Sequence, residues 1–199
     1  VKQQVTSMNI LPTLYKYATE CESVAELGVR GVVSSYAFMW GLINNNSSNK
    51  QFSVFDISYC DVSDVIQECF ENNIDLCDHI PEDDLTVNIA GHSYDLTFID
   101  TFHCYPHCYE ELCKFHSQTN KYIILHDTTI DDQTSECVRL GFEPQHYDNL
   151  VKKYNGKYTA DDFKRGLGHA ITRFLFENPE WVVLEKFENN NGLTVLHRK

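Results

Sequence analysis

Val24-Ala-Glu-Leu runs directly into Gly28-Val-Arg-Gly31. A strand that stops at a glycine and turns into a helix brings backbone N–H groups close to a ligand, because glycine has no Cβ in the way. Such a turn suits a nucleotide-type group, with Glu26, Arg30 and Ser34 on or beside it. The next apolar run, Phe52-Ser-Val-Phe, closes on Asp56, an acid placed to accept hydrogen bonds from the two hydroxyls of a ribose. Gly28 and Asp56 stand 28 residues apart, against about 20 in a dinucleotide fingerprint. The third glycine of G-x-G-x-x-G is also missing, since Val32-Val-Ser34 follows Gly31. On these residues alone, a tight β–α turn with no ligand stays open. Two further acids end apolar runs in the same way: Asp100 after Tyr94-Asp-Leu-Thr-Phe-Ile, and Asp127 after Lys121-Tyr-Ile-Ile-Leu-His.

These residues need elements to position them. Ile10, Leu11, Leu14, Tyr15 and Ala18 have helical spacing, which predicts a helix over Met8–Ala18 with Pro12 in its first turn. Helices are also expected over Val32–Leu42, Val62–Asn72 and Glu110–Phe115, with a strand at Ile74–Cys77. Strands alternating with helices imply a parallel sheet, and ligands of open parallel sheets gather outside the carboxyl ends of the strands. Gly28, Asp56, Asp100 and Asp127 then converge on one rim. Trp181–Glu188 and Leu193–His197 flank Asn189-Asn-Asn-Gly192, a signal for a closing antiparallel hairpin. Thr128–Gly168 reads as polar and irregular, with apolar islands at Cys137–Phe142 and Leu150–Tyr154. A loop of that length beside the rim is expected to be a lid or substrate-binding segment.

The bulk properties fit one well-buried domain: 199 residues, 42% of them hydrophobic. A net charge of −13 argues against nucleic acid as partner, because phosphate contacts need an excess of lysine and arginine. No apolar run approaches the ~20 residues of a bilayer span, and no secretion signal opens the sequence. A soluble, cytoplasmic protein is expected, and Val1 in place of an initiating methionine suits a domain cut from something longer. The eight cysteines sit largely inside expected elements with no C-x-x-C pair, which points to reduced thiols.

The glycine turn after strand one, the acid after strand two and the closing hairpin together resemble the class I S-adenosylmethionine-dependent methyltransferases. The likeness runs from Val24 to Leu196. It implies an α/β fold with a Rossmann-like, mostly parallel sheet, a C-terminal antiparallel hairpin and helices on both faces. More narrowly, Phe98-Ile-Asp100-Thr-Phe-His103-x-Tyr105 and Tyr122-Ile-Ile-Leu-His-Asp127-Thr resemble the branch that methylates sugar hydroxyls, the rhamnosyl and macrolide-sugar O-methyltransferases. A more distant likeness is to the sugar methyltransferases of large algal viruses that decorate capsid glycans, some of them one domain of a multi-transferase protein. That likeness implies a host cytosol.

The resemblance implies S-adenosyl-L-methionine as cofactor and a sugar or glycan hydroxyl as acceptor. It makes Asp100 and Asp127 ligands of a divalent ion and His103 the base that removes the acceptor proton. His126 stands where the branch places a carboxylate. An imidazole there shifts preference from Mg²⁺ toward softer ions such as Mn²⁺, or means that no ion binds. Glu26 either anchors the glycine loop or touches the methionine moiety, and Asp83 and Asp84 fall near the adenine rim or in a solvated turn. His107 shares a helical face with His103, but one helical turn offers too few converging ligands for a zinc site. Two other functions stay open: a non-catalytic α/β nucleotide-binding module and a nicotinamide-dependent oxidoreductase.

Overall fold

The computed structural model describes residues 10–199. Met8 and Asn9, expected to open the first helix, lie outside them. That helix, α1, covers Leu11–Thr19, with Pro12 in the first turn, where its missing N–H has no helical partner to lose. Strands and helices then alternate as β1 (Ser23–Leu27), α2 (Val33–Asn44), β2 (Lys50–Phe55), α3 (Ser63–Glu71), β3 (Ile74–His79), β4 (Tyr94–Ile99), α4 (Tyr105–Phe115) and β5 (Thr119–His126). After α5 (Glu136–Arg139), α6 (Pro144–Lys153) and α7 (Leu167–Glu177), the chain closes with β6 (Trp181–Phe187) and β7 (Leu193–Arg198).

All seven strands form one sheet in the order β3-β2-β1-β4-β5-β7-β6. The first five in that order are parallel, and β7 runs antiparallel to both β5 and β6. The final turn takes left-handed backbone at Asn190, Asn191 and Gly192, the residue types that tolerate it. Successive strand residues face opposite sides, so each strand feeds two cores. Leu27, Phe55, Ile99, Ile123 and Leu125 pack against α4 and α7, whereas Phe52, Val54, Leu96, Phe98 and Ile124 pack against α1, α2 and α3. All six residues of β4 are buried, as expected of a central strand covered on both faces. Gly41 of α2 lets α1 approach closely, since a Cβ there would come within 2.3 Å of the Ala18 Cβ.

The register brings the site together. Leu27 pairs with both Phe55 and Ile99, and Ile99 pairs with Leu125. Gly28, Asp56, Asp100 and His126, each one residue further on, therefore stand level at the carboxyl edge, with Asp127 following.

Three expectations change. The helix after β4 holds Glu110–Phe115 as expected but begins only at Tyr105, where Pro106 suits a first turn, so His103 precedes it and shares no helical face with His107. β3 continues past Cys77 to His79, paired with β2 throughout. The stretch 128–168 is not an irregular loop. It holds α5 and α6, the latter opened by a reciprocal Glu143–His146 capping box, and it is anchored by buried Cys137, Tyr147, Tyr158 and Phe163. Single aromatic anchors between polar residues leave no helical period, which is why the pattern hides these elements.

Candidate active site

A cleft of about 920 Å³ opens along the carboxyl edge. Gly28, Arg30, Ser34, Asp56, Asp84, Asp100, His103, His126 and Asp127 all line it; Glu26 does not.

The glycine turn is held by the protein itself. Gly28 has φ +86°, and a Cβ there would lie 2.0 Å from the Asp100 carbonyl oxygen, so this glycine clears the tip of β4. Its N–H donates to the Phe55 carbonyl, and Asp56 Oδ2 accepts from the Val29 and Arg30 N–H groups at 3.0 Å each. The expectation of free N–H groups facing a ligand is thus corrected for residues 28 to 30, whose donors are already paired. Asp56 Oδ1 accepts from the Ser58 N–H at 2.8 Å. Burial raises the Asp56 carboxyl, but these backbone donors outweigh it and hold the group below the usual carboxylate range. Arg30 (φ 43°) and Val32 (φ 60°) are left-handed, a strained state for a β-branched residue.

Glu26 lies fully buried beneath the turn and takes the Ser34 hydroxyl on Oε1 at 2.5 Å. It anchors the first turn of α2 through a side chain, not through the loop backbone as one reading had it. Its Oε2 is buried without a partner, and burial pushes the carboxyl up to about 8 against the pull of the Ser34 and Ser35 hydroxyls.

At the tips of β4 and β5, carboxylates surround two imidazoles. His103 Nε2 donates to Asp100 Oδ1 at 3.1 Å, and Nδ1 donates to Asp131 Oδ2 at 3.1 Å with Asp127 Oδ2 at 3.3 Å. Carboxylates only accept, so both ring nitrogens carry protons here. Burial works to lower this histidine, yet the bonds to Asp100 and Asp131 raise it to about 10. His126 Nδ1 lies 3.2 Å from Asp100 Oδ2 and 3.3 Å from Asp127 Oδ1, while Nε2 donates to the Asn190 carbonyl at 3.1 Å. Burial lowers His126 too, and its bond to Asp100 reverses the direction. Burial raises the Asp100 carboxyl, but hydrogen bonds from both imidazoles drive it well below the usual range. Asp127 moves up, chiefly through burial.

Asp100, His103 and Asp127 each bring a donor atom within 4.8 Å of the others. Geometry therefore puts His103, and not the expected His126, with Asp100 and Asp127 in the group able to hold a cation. Asp127 Oδ1 is buried with no hydrogen-bond partner, which suits a cation between the two carboxylates.

The sequence reading missed Asp131, Glu136 and Arg139. Asp131 is fully buried, and Arg139 grips it with Nε to Oδ1 at 2.9 Å and Nη2 to Oδ2 at 2.8 Å. Glu136 Oε1 accepts the His103 N–H at 3.0 Å. Acids inside a polar stretch carry no periodic signal that would single them out. Ile57 and Tyr59 were missed as well; they are 63% and 79% exposed on the cleft wall beside Asp56.

Asp84 and His107 fall together on the cleft wall. His107 Nε2 is 3.9 Å from Asp84 Oδ1 and 3.5 Å from Glu111 Oε1, and all three residues are buried. Asp83 pairs with Lys153 at 3.2 Å. Among the described residues all eight cysteines are free thiols, and no helix is long and apolar enough to cross a membrane.

No family profile and no curated protein matches the chain by sequence. Solved structures do match by shape. A Staphylococcus aureus protein provisionally assigned as a caffeoyl-CoA O-methyltransferase aligns with 95% of this chain and 82% of its own, at 14% identity and TM-score 0.58. The O-methyltransferase TomG of Streptomyces achromogenes, involved in tomaymycin synthesis and solved with S-adenosylmethionine, aligns over 94% and 80% at 12% identity and TM-score 0.57. The N-methyltransferase NodS of Bradyrhizobium japonicum aligns over 100% and 99% at 11% identity and TM-score 0.56. These likenesses establish the fold: this chain has the mostly parallel, Rossmann-like sheet with a C-terminal antiparallel pair found in class I methyltransferases.

Proposed function

We propose that the chain is an S-adenosylmethionine-dependent O-methyltransferase whose acceptor is a hydroxyl on a sugar. The observation that carries this reading is the placement of the glycine turn and Asp56 on the same edge as the Asp100–His103–Asp127 cluster, in one cleft large enough for donor and acceptor together. The polar surroundings of the cluster, His126, Arg139, Asn190 and Asn191, suit a polyhydroxyl acceptor. The motifs around Asp100 and Asp127 support the sugar in particular.

S-adenosylmethionine would supply an electrophilic sulfonium methyl, and a divalent ion, if held by Asp100, His126 and Asp127, would supply positive charge where the acceptor oxygen becomes anionic. The protein's residues do the rest. Gly28 to Ser34 and Asp56 hold the nucleoside end, with Ile57 and Tyr59 offering apolar surface to its ring. His126 presents Nδ1 to both carboxylates, and its bond to the Asn190 carbonyl fixes the ring, as for metal-ligating histidines. His103 takes the acceptor proton on Nε2. Asp131, gripped by Arg139, keeps the Nδ1 proton in place and stabilises the imidazolium that forms. A divalent ion bound there would offset the charge of Asp100 and Asp127, leaving His103 able to act as base.

Incubation with methyl-labelled S-adenosylmethionine and a panel of deoxysugar glycosides tests the proposal. Label in an alkali-stable methyl ether on sugar supports it. Label on no hydroxyl of any sugar, with label on a phenol or amine, refutes the sugar assignment.

A further inference from the structure

We propose that Asp84, His107 and Glu111 form a second metal site, for one divalent first-row transition ion of the Zn²⁺, Mn²⁺ or Co²⁺ kind, on the wall of the cleft. The residues are brought together by design of the fold: His107 and Glu111 lie one turn apart on a single face of α4, and Asp84 comes from the β3–β4 connection. One donor atom from each falls within 4.8 Å of the others. The His107 Nε2 distances of 3.5 Å to Glu111 and 3.9 Å to Asp84 approach the edge of a tetrahedron, about 3.4 Å for ligand bonds of about 2.1 Å.

Two of the carboxylate oxygens point to a missing positive group. Asp84 Oδ2 and Glu111 Oε2 are both buried with no hydrogen-bond partner, and Glu111 is wholly inaccessible while Asp84 is 8% exposed. A buried carboxylate oxygen without a partner is unfavourable even where its twin is bonded, as Asp84 Oδ1 is by the Leu85 N–H and Glu111 Oε1 by the Thr101 hydroxyl. Nearby cations are committed elsewhere. Lys114 donates to the backbone carbonyls of Asp84 and Val87, and Lys153 pairs with Asp83.

The surrounding contacts are those of a supported ligand set. His107 Nδ1 is 2.6 Å from Tyr154 Oη, and donation of Nδ1–H to that oxygen leaves the Nε2 lone pair facing the carboxylates. The Thr101 hydroxyl donates to Glu111 Oε1 at 2.5 Å. Lys114 ties the connection carrying Asp84 to α4. Asp84, His107 and Tyr154 line the open cleft, which provides a path for the ion. One imidazole with two carboxylates is a mixed N/O set, suited to these ions over Ca²⁺ or Mg²⁺.

The test is a CoCl₂ titration of chelator-stripped protein carrying Asp127→Asn, which disables the strand-tip cluster. The expected result is one Co²⁺ per chain, with visible ligand-field absorption and a raised Tm. Adding Glu111→Gln weakens binding by more than tenfold, and Thr101→Val, which removes only the supporting hydroxyl, weakens it about tenfold. Absence of Co²⁺ binding to the Asp127→Asn protein at neutral pH overturns the proposal and assigns the two carboxylates a shared proton. Binding that neither Glu111→Gln nor Thr101→Val weakens overturns it as well. Should Glu111→Gln fail to fold, Thr101→Val decides alone. No methyl donor or acceptor enters the experiment, so its result is independent of the catalytic reading.

Discussion

Glu26→Gln is expected to make the protein more stable, by an amount that grows with pH. Glu26 is wholly buried under the glycine turn, with the Ser34 hydroxyl on one oxygen and nothing on the other. Burial carries its carboxyl from an ordinary 4.5 up to about 8 in the folded chain. Between those two values the folded state keeps a proton that the unfolded state has released, so stability falls as pH rises through the window. At about 1.4 kcal/mol per pH unit, the loss reaches about 3 kcal/mol at neutral pH and about 5 kcal/mol above pH 8, as orders of magnitude. Glutamine has the same shape and no proton to lose. Urea unfolding of both proteins from about pH 5 to about pH 9 measures the difference directly, because every other titrating group is common to the pair. The glutamine protein gains on the parent with each step upward to about pH 8, where the difference levels off. A difference that stays constant across the range means that Glu26 is ionised in the folded state throughout, and the burial argument is wrong.

Other outcomes follow from the same geometry. His103→Ala lowers methyl transfer by about 10²- to 10⁴-fold while S-adenosylhomocysteine still binds, as calorimetry will show. Asp131→Asn reduces kcat by about 10²-fold or more with little change in KM, since it misorients His103 without touching the acceptor. Without added metal, the rate rises with pH toward about 10, where His103 loses its proton; divalent ion moves that limb to lower pH. Gly28→Ala destabilises the fold by about 2 kcal/mol or more in urea unfolding, because its Cβ meets the Asp100 carbonyl and φ is +86°.

Much of this architecture was legible in the sequence because parallel strands buried on both faces are continuous apolar runs, and each ends on a residue with a distinct type. The apolar stretches before Gly28, Asp56, Asp100 and Asp127 mark strand ends, and the sheet register does the rest. The Asn-Gly turn marked the hairpin for the same local reason. What local pattern does not carry is partnership over distance. Asp131 meets His103, and Arg139 meets Asp131, only after the chain has folded back through α5, and Glu111 looks like any acid on a helix until Asp84 and His107 reach it. Nor does the sequence show what Gly28 makes room for: its missing Cβ clears the neighbouring strand, and the donors of the turn go to Phe55 and Asp56.

A crystal structure of the complex with S-adenosylhomocysteine tests the central claim most directly. The nucleoside is expected against Asp56, Ile57 and Tyr59, with the sulfur turned toward the rim that holds His103 and Asp127. Protein that takes up no S-adenosylhomocysteine, or that holds it away from this edge of the sheet, is not a methyltransferase of the kind proposed.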